Sequence, residues 1–154
     1  MNAAKFCAEL DTATHCSTAA EAVYDADVII TVTPSKDAIL KNVSDVKPSA
    51  TIIAVGADTP GKQELDQAII NAASRVICDD IAQCKRVGEL QYSDLALLSR
   101  VETLGSCVAG ASAGRTSSDG IIVVDLTGVG AQDAAIAEFA WTTTQQDQKV
   151  ESKL

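Results

Sequence analysis

Four short runs of aliphatic and β-branched residues interrupt a more polar chain: VIITV at 28–32, TIIAV at 51–55, RVIC at 75–78 and IIVVDL at 121–126. Each run is nearly continuous rather than alternating, the pattern of strands covered on both faces of a parallel sheet. Between them lie helical patterns at residues 2–10, 17–24, 64–73, 81–87, 95–105 and 131–143. Ser17 or Thr18 is the expected cap of the second, with Glu21 in support. The alternation predicts βαβ units with right-handed crossovers, hence an α/β fold of four to five mainly parallel strands flanked by helices. A weak strand is expected near residues 13–16. The Gly-, Ala- and Ser-rich stretch 108–120 reads as a loop before the last strand.

Composition narrows the class. The 154 residues suffice for one ordinary domain, and 47% apolar with only 3% aromatic residues fits a core of Val, Ile, Leu and Ala. A formal charge of −9 argues against nucleic acid and anionic membrane surfaces as partners. Five cysteines (7, 16, 78, 84 and 107) with no C-x-x-C pair, and a single histidine, suggest neither a disulfide framework nor a metal site. Reduced thiols point to an intracellular protein, with Cys78 and Cys84 as small core residues. No apolar run approaches the roughly 20 residues that span a bilayer, and MNAAKFCAEL reads as an amphipathic helix, not a secretory signal. The chain ends in Ser152-Lys153-Leu154, the tripeptide read by the peroxisomal import receptor, after the polar stretch TTTQQDQKVE. A domain over 1–143 and a flexible tail over 144–154 are expected, with peroxisomal localisation, or otherwise cytoplasmic.

Two glycine-containing turns invite a phosphate reading. Gly56 to Gln63 is one residue short of G-x-x-x-x-G-K-[ST], but Gln63 replaces the magnesium-binding hydroxyl, Pro60 has no N–H, and Asp58 would put a carboxylate in an anion cradle. A strand-to-helix turn is the plainer expectation, with Thr59 as N-cap, Pro60 at the first helical position, Glu64 in the first turn and Lys62 solvated on the helix. DLTGVGAQDAA at 125–135 begins like a dinucleotide fingerprint, but Asp133 stands where the third glycine belongs and only about 20 residues of this sequence follow, where the first turn of a complete domain is expected to precede further strands. His15 is expected at a surface or sheet edge, Arg115 to pin its loop through backbone carbonyls, and Trp141 to pack, or to face a further domain.

ADVIITVTPSKDAIL (26–40), VGADTPGKQELD (55–66), RVICDDIAQCKRVGELQ (75–91) and AGASAGRTSSDGIIVVDLTGVGAQDAA (109–135) together resemble the ornithine cyclodeaminase and mu-crystallin family. The resemblance implies an incomplete Rossmann-like fold, the later part of that family's NAD(P)-binding domain, without its first strand, glycine-rich turn and dimer-forming substrate domain. It implies that Asp58 is the acid beside nicotinamide and substrate. Val55, Gly56 and Ala57 then line the nicotinamide, Thr33, Pro34 and Ser35 pass the adenosine side, and Thr127 and Gly128 lie close to the ring. The implied cofactor is NAD or NADP and the implied substrate a small amino acid or cyclic imine. The implied activity is ornithine cyclodeamination or ketimine reduction in a homodimeric full-length protein. A non-catalytic fragment or binding module is the reading from a different class. Burial at a strand end would raise the pKa of Asp58 and suit it to shuttle a proton.

Overall fold

The computed structural model describes residues 3–116 and 118–151; Ser152-Lys153-Leu154 lie outside the described residues. Two short helices, α1 (Ala3–Cys7) and α2 (Ala19–Val23), precede β1 (Val28–Thr31). Then follow β2 (Thr51–Ala54), α3 (Gln67–Ala72), β3 (Arg75–Cys78), α4 (Ile81–Val87) and α5 (Leu95–Leu98). The chain continues through β4 (Glu102–Thr103), α6 (Leu104–Val108), β5 (Ile122–Asp125) and α7 (Gly130–Glu151). One-turn 3₁₀ segments sit at Val43–Asp45 and Glu89–Tyr92.

The five strands form one sheet in the order β1-β2-β5-β3-β4, with every pair parallel. Ala54 and Cys78 both register with Asp125, so β5 is the centre and the carboxyl ends of β2, β5 and β3 lie side by side. The chain moves in one direction through β1, β2, β3 and β4 and then returns over β3 to β5. With right-handed crossovers, that return carries α6 on the face opposite to the connections before it. Ile52, Leu65, Ile69, Ile70, Val76 and Val123, all at 0% exposure, form the core.

Several expectations are corrected. The capping box at Thr18 and Glu21 forms as expected: Glu21 N–H donates to Thr18 Oγ1 at 3.1 Å, and Ser17 and Thr18 N–H donate to Glu21 Oε2. Residues 13–16 form no strand. The helix expected over 64–73 starts only at Gln67, capped by Asp66, because Thr59-Pro60-Gly61-Lys62 closes on itself instead. Lys62 N–H donates to the Thr59 carbonyl at 3.1 Å, with Gly61 at φ 82°. Proline then glycine at the centre of such a turn is the signature of type II. Residues 95–105 split into α5, β4 and α6. Strand β4 carries no apolar run and is anchored by charge: Arg75 Nε and Nη2 donate to the two Glu102 oxygens at 2.8 and 2.9 Å.

The last helix begins at Gly130 and continues to Glu151, beyond the expected end at 143. Trp141 is exposed, as are Ile136 and Phe139, which goes against packing and leaves the alternative of facing a further domain. Strand β1 also departs from the two-sided burial inferred from its apolar run. Ile29 and Thr31 are buried, while Val28, Ile30 and the following Val32 are 59–67% exposed. His15 is exposed, Cys78 and Cys84 are buried, and Arg115 donates to the carbonyls of Ala50, Asp119 and Gly120, pinning its loop. No helix among the described residues is long and apolar enough to cross a membrane.

Candidate functional site

Strands β1, β2 and β5 are neighbours, so the segments after them meet along one edge of the sheet. These segments are Thr33-Pro34-Ser35, Val55-Gly56-Ala57-Asp58 and Thr127-Gly128. The carboxyl ends of strands are where open α/β sheets bind ligands. The sheet ladder runs on into them: Val55 N–H donates to Thr31 O, and Leu126 N–H to Ala54 O, both at 2.9 Å. All eight residues expected near the cofactor therefore lie on one edge. Ala57 and Gly56 are buried, while Pro34, Val55 and Gly128 are exposed.

A residue expected to begin a helix holds the first two segments together. Glu64, at 0% exposure, accepts from Thr31 Oγ1 (2.7 Å), Thr33 N–H (2.6 Å), Thr33 Oγ1 (2.8 Å) and Gly56 N–H (2.8 Å). It reaches this position because Leu65 bridges to Leu40 in parallel, outside α3. Burying a carboxylate costs several kcal/mol, and hydrogen bonds to a charged group return about 1.5–3 kcal/mol each. Four donors are therefore what makes the position tenable. The approach also requires glycine at 56, where an added Cβ would overlap both Thr33 O and the Glu64 carboxyl group.

Two more buried acids stand behind it. Glu89 accepts from the N–H groups of Glu64 (2.7 Å) and Leu65 (3.1 Å). Burial nevertheless pushes the Glu89 carboxyl up to about 7. Asp125 Oδ2 accepts from Leu90 N–H at 3.2 Å, Oδ1 is buried with no hydrogen-bond partner, and burial raises this carboxyl to about 6. Gly88 closes over Asp125: a Cβ there would meet both carboxylate oxygens, at 2.5 and 2.7 Å.

The third segment is held by a different acid. Asp79 Oδ2 accepts from Thr127 N–H (3.0 Å) and Gly128 N–H (2.8 Å), and its Oδ1 accepts from Thr127 Oγ1 (3.2 Å). The backbone N–H groups of Thr33, Gly56, Thr127 and Gly128 thus all donate to carboxylates of the chain itself. Nothing in that arrangement cradles a phosphate, whereas the exposed Val55 and Pro34 offer apolar surface for an uncharged ring.

Asp58 lies at the rim of this edge, exposed rather than buried. Lys62 Nζ donates to its Oδ1 at 2.6 Å and Thr59 Oγ1 at 3.0 Å, and these contacts, Lys62 foremost, hold its pKa below the usual carboxylate value. This overturns the expectation of a raised pKa. Lys62 is not a solvated charge on a helix either, since it sits in the turn and pairs with Asp58. Among the described residues no cluster of His, Cys, Asp and Glu could hold a metal ion. Hydrogen bonding to Cys78 and burial lift the Cys84 thiol far above its usual range, consistent with a packing role.

The family model for the ornithine cyclodeaminase/mu-crystallin family matches residues 1–148. The chain belongs to that family. It is 43% identical over 117 residues to the iminosuccinate reductase of Paracoccus denitrificans, covering 74% of this chain and 36% of that protein. It is 40% identical over 96 residues to the ketimine reductase mu-crystallin of Rattus norvegicus, covering 62% and 29%. The solved structure of the Paracoccus reductase in complex with NAD+ superposes with a TM-score of 0.82 at 36% identity, covering 94% of this chain and 45% of that one. An archaeal alanine dehydrogenase dimer with bound NAD superposes with a TM-score of 0.80 at 32% identity. The chain thus spans about a third of the length of these curated relatives.

The buried acids escaped the reading of the sequence. Asp125 carries a signal, since a carboxylate inside the run IIVVDL must find a reason for burial. Glu64 and Glu89 carry none, because each reads equally well as an acid at a helix start.

Proposed function

We propose that this chain carries the nicotinamide-side wall of an NAD(P)-dependent enzyme that transfers hydride at the α-carbon of a small amino or imino acid. The observation that carries this reading is the meeting of the β1, β2 and β5 segments on one sheet edge. The N–H groups of Thr33, Gly56, Thr127 and Gly128 already donate to carboxylates of the chain, so the edge suits the uncharged end of the cofactor and not the pyrophosphate. When bound, NAD(P) supplies or accepts the hydride. Thr33, Pro34 and Ser35 border the approach from the adenosine side; Val55, Gly56 and Ala57 form the floor under the ring; Thr127 and Gly128 close the far side. Asp58, kept ionised by Lys62, is the rim carboxylate that would meet a substrate ammonium or iminium ion, in competition with Lys62.

Within the family, ornithine cyclodeamination to proline and ammonia needs hydride removal and return, and imine reduction needs the return half alone. Two of the curated relatives are named reductases, which fits the second, and another is named an uncharacterized cyclodeaminase, which fits the first. No G-x-G-x-x-G turn occurs in the 154 residues. Weak NAD(P)H binding and no turnover with ornithine are therefore expected of the chain alone, which then acts as a binding module. NADH titration followed by amide NMR tests this reading: shifts at Val55, Gly56, Ala57 and Thr127 are expected at millimolar NADH. Their absence would sink it, and micromolar affinity would show that the missing turn is dispensable. Asp58→Asn in a full-length relative-like protein should lower turnover of a cationic substrate about tenfold; unchanged turnover reduces Asp58 to a turn residue. We further propose homodimer formation in the full-length form. Where Ser152-Lys153-Leu154 is the protein's own C-terminus, we propose a peroxisomal address, checked by import of a fluorescent protein bearing the last ten residues.

A further inference from the structure

We propose that Glu64 is a positioning residue: its buried carboxylate sets the distance between the Thr33 and Gly56 segments and thereby the shape of the surface on which the nicotinamide end of NAD(P) lies. This deepens the function proposed above and rests on it for the identity of the ligand. The geometry is that of a clamp with two jaws. Thr31 Oγ1, Thr33 N–H and Thr33 Oγ1 donate from the β1 side, and Gly56 N–H donates from the β2 side. Beyond the end of the ladder, Glu64 accepts hydrogen bonds from both segments. No linker with a Cβ fits at 56, so the two backbones are drawn together around the carboxyl group.

The clamp is itself held from behind. Glu89 accepts the N–H groups of Glu64 and Leu65, which fixes the backbone that carries the clamping side chain. In front, Gln63 N–H donates to Ser35 O at 3.0 Å, and Ile39 and Leu40 N–H donate to Glu64 O at 2.8 and 3.0 Å. Glu64 is thus fastened on both sides while its two oxygens serve only as acceptors. A side chain whose sole need was to be buried at this place would be apolar.

The test compares the chain with Glu64→Gln, which places an NH₂ group among four converging donors, and with Thr31→Val, which removes one donor and keeps shape. Amide hydrogen exchange is read at Thr33 and Gly56 in the turns and at Val76 and Ile77 in β3, with NADH affinity taken from amide shifts. Glu64→Gln should speed exchange at Thr33 and Gly56 together, at least tenfold, leave β3 protected, and raise the NADH Kd at least fivefold. Thr31→Val should show the same paired change at about twofold, and it serves where Glu64→Gln does not fold. Equal acceleration in β3 would mean a merely structural role and overturns the proposal, as does unchanged NADH affinity when the wild type binds. If the wild-type chain binds no NADH, the function proposed above fails. Paired acceleration confined to the two turns would then still support the clamp, and unpaired or absent acceleration would overturn it.

Discussion

The turns after β2 and β5 are built by the same device with different reach. Each gives its backbone N–H groups to a carboxylate from elsewhere in the chain, Glu64 in one case and Asp79 in the other. Glu64 is completely buried and joins two strands, whereas Asp79 is half-buried and joins a single turn to the start of α4. The first has a second buried acid behind it, and water partly reaches the second. Burial makes the same chemistry stiffer and more costly to disturb, because an orphaned donor that water cannot reach loses its partner outright.

The strongest break in this comparison is Gly56→Ala. Its methyl group must displace the Thr33 carbonyl and the Glu64 carboxyl, and the cost should approach the upper end of the 1–3 kcal/mol typical of overpacking. Denaturant unfolding measures it, with a loss below about 1 kcal/mol counting against the close approach. Asp79→Asn should cost less, about 1–2 kcal/mol, since one oxygen still accepts and solvent can serve the remaining donor. It should speed amide exchange at Thr127 and Gly128 while leaving Gly56 unchanged.

The buried acids behind the first turn also set a pH dependence. Glu89 is raised from 4.5 to about 7 and Asp125 from 3.8 to about 6, so the folded chain holds protons that the unfolded chain has released. Their contribution to stability therefore falls as pH rises from about 4 to 7 and is flat above. Asp125 and Glu64 face Glu89, and Asp79 faces Asp125, and like-charge repulsion among them adds to the effect of burial. Glu102 works the other way: Arg75 lowers it to about 2, and stability it contributes above pH 4.5 is lost on acidification toward 2. The urea midpoint should be highest near pH 4–5, and Glu89→Gln should flatten the decline toward pH 7. A midpoint that climbs steadily to pH 8 would show that these buried acids are not protonated.

Much of the fold is legible in the chain because its strands are short aliphatic runs between Gly-, Pro- and Asp-marked turns. β3 was found to the residue, and β1, β2 and β5 within one residue at each end. β4 was hidden because two residues, Glu102 and Thr103, pair with β3 through an Arg75 contact that leaves no apolar signature. The delay of α3 to Gln67 was written in Pro60-Gly61, a turn pair that competes with the helix-start reading of Thr59. Of the candidate site, the strand-end residues expected from the sequence lie on one edge, while the carboxylates that hold those segments carried no such expectation.

Hydrophobic patterning and turn chemistry thus mark four of the five strands, because these depend on neighbours within a few residues, and the alternation of strands with helices implies their parallel arrangement. Only the tertiary structure decided the protonation and partners of the acids. Asp58, whose burial would have raised its pKa, is exposed and paired with Lys62; Glu64, expected in the first turn of a helix, is buried among four donors. A carboxylate's role follows from burial and from donors brought in across 30 or more residues of chain, as between Thr31 or Thr33 and Glu64. No local pattern encodes those distances.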